Sequence, residues 1–222
     1  MDEKVNAILP MRAGSQRVVN KNIRPVNGRP LYEYVIDSLL GAKHIDRIIL
    51  STDIKEILER YKDNEKFIIL ERPENLKGNT SMNWIIEDVL NKINWEHFMQ
   101  MHVTTPLLTS ETIDKAIEKY FQHVDNYDSL FSVNEKQMRF FDKNWNPINH
   151  KLEDAPMTQD LEIWYEENSL FYIFSRDSFH KKKHRIGEKP FLFKTPLIES
   201  LDLDTEEHFE LAELLFKGKS VK

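Results

Sequence analysis

Apolar positions along this chain fall into two alternating spacings. Short unbroken runs at residues 5–9, 47–52, 67–70, 98–103, 129–133 and 169–174 read as buried strands. Between them lie segments with apolar residues three and four apart, the spacing of one helix face. Residues 29–40 read as a helix with Pro30 in its first turn, and 53–61 as a second. Residues 81–93 bring Trp84, Ile85, Val89, Leu90 and Ile93 to one face. Thr109 to Thr112 offers a cap for a helix over 113–124. Near the end, 198–203 reads as a strand running into a helix at 205–216. Strands alternating with helices in this way build a mostly parallel sheet with crossover helices.

The alternation breaks over 134–167, where polar residues, Pro147, Pro156 and the aromatics Phe140, Phe141 and Trp145 replace clean periodicity. This stretch is expected to protrude as an inserted lobe. Lys181-Lys182-Lys183-His184 reads as a solvated loop, because like charges repel and stay hydrated. Phe191 and Phe193 fit core, interface or pocket equally well.

Length and charge narrow the class. A chain of 222 residues suits one domain with a sizeable core. Its 31 Lys plus Arg against 37 Asp plus Glu give a net charge of −6, which argues against a general nucleic-acid binder and leaves room for a local basic pocket. No cysteine is present, so disulfides, a thiol nucleophile and thiolate metal sites are excluded. The first ten residues are too short and too charged for a signal peptide, and no apolar run approaches the about 20 residues of a membrane helix. A cytoplasmic enzyme with no membrane partner is the expectation.

Chemistry concentrates at two places. After the first strand, Arg12, Arg17 and Lys21 stand beside Gly14 and Ser15. Flexible backbone N–H groups, a hydroxyl and positive charge can there converge on a polyphosphate, and in open α/β sheets ligands sit beyond the carboxyl ends of strands. The loop is neither G-x-x-x-x-G-K-[ST] nor G-x-G-x-x-G, and a solvated strand-end loop has the same composition. The second place is Leu201-Asp202-Leu203-Asp204-Thr205-Glu206-Glu207. On a strand, Asp202 and Asp204 would point to one face and could share a hard cation, Mg²⁺ being the candidate. Alternatively Asp204 starts the last helix as part of a capping box, which leaves the charge of Asp202 unexplained.

Four separated motifs carry a family resemblance. Arg12-x-Gly14-Ser15-x-Arg17 with Lys21-Asn22, then Asn27-Gly28-Arg29-Pro30-Leu31, then 46–53, and finally Leu201 to Glu207 with Ala212-Glu213, resemble the acylneuraminate cytidylyltransferases, the CMP-sialic acid synthetase family. A weaker match lies at Thr104-Thr105-Pro106-Leu107-Leu108, and the likeness runs from about Ile8 to Leu214. It implies a Rossmann-like three-layer α/β nucleotidyltransferase fold, with the 134–167 lobe serving dimerisation. It also implies a reaction in which the anomeric hydroxyl of a sialic-acid-like, nonulosonic-type sugar acid attacks the α-phosphate of CTP, giving a CMP-sugar and pyrophosphate.

The resemblance distributes roles among the residues. Arg12 and Lys21 would stabilise charge growing on phosphate oxygens, with Asp202 the third catalytic group. Gly14 and Ser15 would cradle phosphate, and Asp202 and Asp204 would hold Mg²⁺. Asn22 and Arg72 would contact the cytidine portion, with the segment from Arg72 to Ser81 bordering the nucleotide. His102, Thr104, Gln159 and Asn168 would lie nearest the sugar, and a homodimer is implied. Departures fall on the sugar side. His102 stands where the family has an amide, Met157-Thr158 replaces an Arg-Arg pair before Gln159-Asp160, and Asn168-Ser169 replaces Asn-Gly. A sugar-1-phosphate nucleotidyltransferase and a non-catalytic nucleotide-binding domain of the same fold are the competing expectations.

Overall fold

The computed structural model describes residues 3–15, 18–154 and 156–219. Arg17, one cation of the glycine loop, lies outside the described residues. Strand β1 (Val5–Met11) is buried along its whole length. Val5, Ala7, Leu9 and Met11 enter one core and Ile8 another, as a strand covered on both faces demands.

A small hairpin of β2 (Pro25–Val26) and β3 (Arg29–Pro30) follows, turned by Asn27 at φ 48° and Gly28 at φ 78°. Two consecutive positive φ values make the mirror-image turn that Asn-Gly favours. The hairpin shortens the helix expected over 29–40. Helix α1 is Leu31–Gly41, and Pro30 precedes it at ψ 135° instead of joining its first turn.

The chain continues through β4 (Ile45–Thr52), α2 (Lys55–Tyr61), β5 (Phe67–Glu71), α3 (Met82–Lys92), β6 (His97–Met101) and α4 (Ser110–His123). The side chain of Thr109 caps α4 by accepting a hydrogen bond from the Thr112 N–H, as its position predicts. Strands β7 (Ser129–Lys136) and β8 (Trp164–Ser175), helix α5 (Arg176–Lys182), strand β9 (Pro190–Lys194) and helix α6 (Glu206–Lys219) complete the order.

Seven strands form one sheet in the order β5-β4-β1-β6-β8-β7-β9. β8 alone runs against its neighbours β6 and β7, and the other pairings are parallel. Tyr32, Val35 and Leu39 of α1, Ile57 of α2 and Ile113, Ala116 and Ile117 of α4 cover one face. Ile86, Val89 and Leu90 of α3 and Phe179 of α5 cover the other. A third cluster ties α6, through Phe209 and Ala212, to Val26 and Leu31. The result is the three-layer α/β arrangement expected.

Several local details depart from these expectations or resolve what they left open. Residues 201–204 form no strand: a 3₁₀ turn at Leu197–Ser200 leads into an irregular extended segment. The lysine run closes α5. Lys181 and Lys182 lie in its last turn, where cations suit the helix dipole, and Lys183 adopts φ 53° beyond it. Phe191 and Phe193 belong to the edge strand β9 and pack on the core around β7. The 134–167 segment begins and ends inside the sheet, since β7 and β8 pair as far as Lys136 opposite Trp164. Its loops between carry one bridge, Phe141 with Pro147, and a 3₁₀ turn at Thr158–Asp160.

Candidate active site

From β1 the sheet continues to β4 on one side and to β6 on the other. At such a reversal the loops leaving two neighbouring strands part, and a crevice opens beyond their carboxyl ends. A cavity of about 360 Å³ lies there. Pro10 and Arg12 line it from the end of β1, and His102, Val103 and Thr104 from the turn after β6.

The glycine loop is held on both sides. The Ala13 N–H donates to Asp53 Oδ1 at 2.7 Å, and buried Asn22 donates from Nδ2 to the Arg12 carbonyl at 2.9 Å. Gly14 takes φ 69°, a left-handed conformation that a side chain would strain. Arg12 Nη1 donates to Asn79 Oδ1 at 2.5 Å, and Asn79 and Thr80 close the wall facing Ser15. Arg72 is nearly fully buried. Its Nη2 donates to the Ser51 carbonyl at 3.1 Å, while its Nε has no partner among the described residues. Burial lowers its pKa, with Asp53 opposing. A buried guanidinium held by one carbonyl calls for an acceptor from a ligand.

Asp202 and Asp204 reach the same cavity without a strand beneath them. The Leu203 N–H donates to the Thr104 carbonyl at 2.8 Å, fastening the segment to the end of β6. Lys21 Nζ lies 2.6 Å from Asp204 Oδ1, the two side chains being 13% and 24% exposed. Thr205 accepts from the His208 N–H through its hydroxyl at 3.3 Å, in the manner of a helix cap, and the Asp204 carboxylate goes to Lys21. Asp202 Oδ1 is buried with no hydrogen-bond partner among the described residues. Burial raises the Asp202 pKa, helped by the Asp204 charge and opposed by a hydrogen bond from Thr104 and by Lys21.

An orphaned carboxylate oxygen beside a second carboxylate is a donor set that fits Mg²⁺, which takes one or two protein carboxylates and completes its shell with phosphate and water oxygens. No group of three or more His, Asp or Glu side chains suited to a metal occurs among the described residues.

His102 stands at the far wall with its pKa pushed down to about 3 by desolvation, then by Arg185 and Lys21, with Asp204 opposing. Arg185 Nη1 lies 3.4 Å from His102 Nε2 and donates to Gln100 Oε1 at 2.6 Å. Its guanidinium carbon sits 3.6 Å from the Tyr172 ring centroid. Sequence reasoning missed Arg185, which follows directly on the lysine run. The available signal was Gly187 two positions later, marking a tight turn there and not a featureless basic loop.

The structure brings Arg12, Ser15, Lys21, Asn22, Arg72, His102, Thr104, Asp202 and Asp204 onto one cavity wall. Gly14 and Ser81 adjoin wall residues without lining it. Asn168 is engaged elsewhere: its Nδ2 donates to Asn134 Oδ1 at 2.9 Å and Thr195 Oγ1 at 2.7 Å, linking β7, β8 and the end of β9. Gln159 is exposed on the lobe, its carbonyl accepting from Gln137. Ser169, standing for the family glycine, keeps a glycine-like φ of 59°, and its hydroxyl donates to the Tyr172 oxygen at 3.0 Å.

Residues 6–221 match the cytidylyltransferase family. The chain is 26% identical to the pseudaminic acid cytidylyltransferase of Campylobacter jejuni, over 95% of each. It is 28% identical to the CMP-N,N'-diacetyllegionaminic acid synthase of Legionella pneumophila, over 96% of this chain and 97% of that protein. Identity to the N-acylneuraminate cytidylyltransferase of Streptococcus agalactiae is 27%, over 91% of this chain and 51% of that longer protein. The fold is shared with a CMP:2-keto-3-deoxy-manno-octonic acid synthetase solved with CTP, at a TM-score of 0.67 and 13% identity, covering 97% of this chain and 99% of that one. With the family match spanning nearly its full length, this chain belongs to the cytidylyltransferases.

Proposed function

We propose that the chain couples CTP to a nonulosonic-type sugar acid, releasing pyrophosphate and a CMP-sugar. The observation that carries this reading is the meeting of Arg12, Lys21 and Arg72 with Asp202 and Asp204 around one cavity at the sheet's reversal. Relatives named for pseudaminic, N-acylneuraminic and N,N'-diacetyllegionaminic acids support the acid class.

Attack of a sugar hydroxyl on the α-phosphate needs little covalent help from protein. Charge builds on the phosphate oxygens and the leaving pyrophosphate, so fixed cations aimed there lower the barrier. Arg12 and Lys21 take this role, with the loop at Gly14 and Ser15 against the phosphates. Lys21 exchanges Asp204 for a phosphate oxygen as the nucleotide enters. Asn22 and Arg72 face the nucleoside side, beside the segment ending at Ser81. Asp202 and Asp204 would hold Mg²⁺, which supplies charge neutralisation and orients the triphosphate. His102 and Thr104 face the sugar. Desolvation and the nearby cations push the His102 pKa down, which favours the neutral ring and suits it to positioning the sugar.

The same reading includes a homodimer joined through the 134–167 lobe, whose Trp145, Leu152 and Met157 are 86%, 63% and 61% exposed. From the lobe, Gln159 would reach the sugar side, with Asn168 shaping the base of the lobe between β7 and β8. Light scattering giving a monomer at micromolar concentration would reject this. No described helix is long and apolar enough to cross a membrane, and a cytoplasmic reaction drawing on the CTP pool is part of this proposal.

Thermal shifts with CTP, UTP, ATP and GTP, each with and without Mg²⁺, test the nucleotide. A bound nucleotide at a hundredfold excess over Kd adds about 2.7 kcal/mol. CTP selectivity followed by pyrophosphate release with a sugar acid supports the proposal. A nucleoside diphosphate sugar as product points to the sugar-1-phosphate enzymes, and no nucleotide selectivity points to a non-catalytic domain.

A further inference from the structure

The charge of Arg185 is more buried than its partners explain. Its side chain is 16% exposed, and its one carboxylate within 4.0 Å among the described residues is Glu167, at 4.0 Å. Glu167 is itself engaged by the Tyr172 hydroxyl. The strong contacts of Arg185 are neutral: Gln100 Oε1 at 2.6 Å, His102 Nε2 at 3.4 Å and the face of Tyr172. A buried cation among neutral acceptors leaves net positive potential, and that potential lies just behind His102, a wall residue of the cavity.

The position is built, not incidental. The Arg185 N–H donates to Asn83 Oδ1 on α3 at 3.3 Å. Two residues on, Asp128 accepts from the Glu188 and Lys189 N–H groups at 2.7 and 3.0 Å, and Ser129 Oγ accepts from the Gly187 N–H at 2.9 Å. The turn is fixed at both ends, so the guanidinium is pre-aimed. Met157 and Thr158, which lie on the exposed lobe, bring no cation.

We propose that Arg185 is a specificity-determining residue whose buried charge reads the carboxylate of the sugar acid across His102. This rests on the cytidylyltransferase reading. It assigns to the turn between α5 and β9 the selection of an acidic over a neutral sugar.

The test uses R185Q and R185K in the full chain, with whichever of pseudaminic, N-acetylneuraminic and legionaminic acids the wild type turns over fastest, and with its methyl ester. The wild type is expected to prefer acid over ester in kcat/KM. R185Q is expected to raise KM for the acid about 10-fold, the size of a lost through-space attraction between a buried charge and a carboxylate one residue away, and to erase the preference with KM for CTP unchanged. R185K, which keeps the charge, is expected to retain the preference. R185Q with wild-type KM and preference would overturn the proposal. So would equal loss in both variants, since a purely structural role does not distinguish glutamine from lysine by charge. Absence of wild-type turnover with all three acids overturns the nonulosonic-acid reading instead, and so separates the two failures.

Discussion

Lys21 and Asp204 stand 183 positions apart in the chain, yet their charged groups meet at 2.6 Å across the cavity mouth. The pair joins the glycine loop to the acidic segment and holds the cation where a triphosphate would enter.

On the proposed mechanism, replacing Lys21 with alanine removes a charge that would strengthen its hold on the phosphates as the reaction proceeds. A single such donor is worth about 2.7–4 kcal/mol, so kcat should fall about 100- to 1,000-fold, with Lys21→Arg recovering part of it. Pyrophosphate-release kinetics check this. A variant with wild-type kcat would remove Lys21 from the machinery.

Asp202→Asn should separate stability from activity. The Asp202 pKa is raised in the folded state, so above the unfolded value of 3.8 the ionised group works against folding, and that penalty fades as pH falls. The variant should melt higher than the wild type at pH 7.5, with the gain shrinking towards pH 4. It should also lose the extra stabilisation that Mg²⁺ gives with CTP. Calorimetry across pH measures both effects.

His102 gives the opposite pH sign. Its folded pKa of about 3 lies below the unfolded 6.5, so the unfolded chain binds the extra proton first and stability drains away as pH falls below 6.5. Between pH 8 and pH 5 this amounts to about 2 kcal/mol. In His102→Gln that component should vanish, leaving a shallower acid limb in urea midpoints. An unchanged limb would contradict the assignment.

Gly187→Ala should be costly although the turn is at the surface. A Cβ there would meet Asp128 Oδ1 at 2.1 Å, and that carboxylate is tied down by two backbone N–H groups. A loss of about 1–3 kcal/mol is expected, visible as a lower Tm. A Tm equal to the wild type would mean the Asp128 turn yields more easily than its hydrogen bonds imply.

Much of the fold was legible because it follows from local spacing. The buried strands around β1 stand out as unbroken apolar runs, the faces of α1, α3 and α4 repeat every three to four residues, and the Thr109 cap is a side chain acting on its own neighbourhood. β9 was not legible, since Phe191 and Phe193 alternate in a way that suits an edge strand and a pocket lip alike. The Asp202–Asp204 pair was found for a reason that did not hold. The backbone there is irregular, and the two acids reach one cavity because the Leu203 N–H finds the Thr104 carbonyl. Arg185 escaped notice because what distinguishes it from Lys181 to Lys183 is burial against Tyr172 and Gln100, which come from distant strands.

The bond from Leu203 to Thr104 also sets the order in which a working protein can come into being. The glycine loop and its strand are made well before the acidic segment, which docks by pairing with a carbonyl about a hundred residues earlier. Closing so long a loop is slow compared with local helix formation. The two sides of the crevice are therefore joined by a contact of long sequence separation, and the crevice is complete only once the acidic segment has docked on the turn after β6.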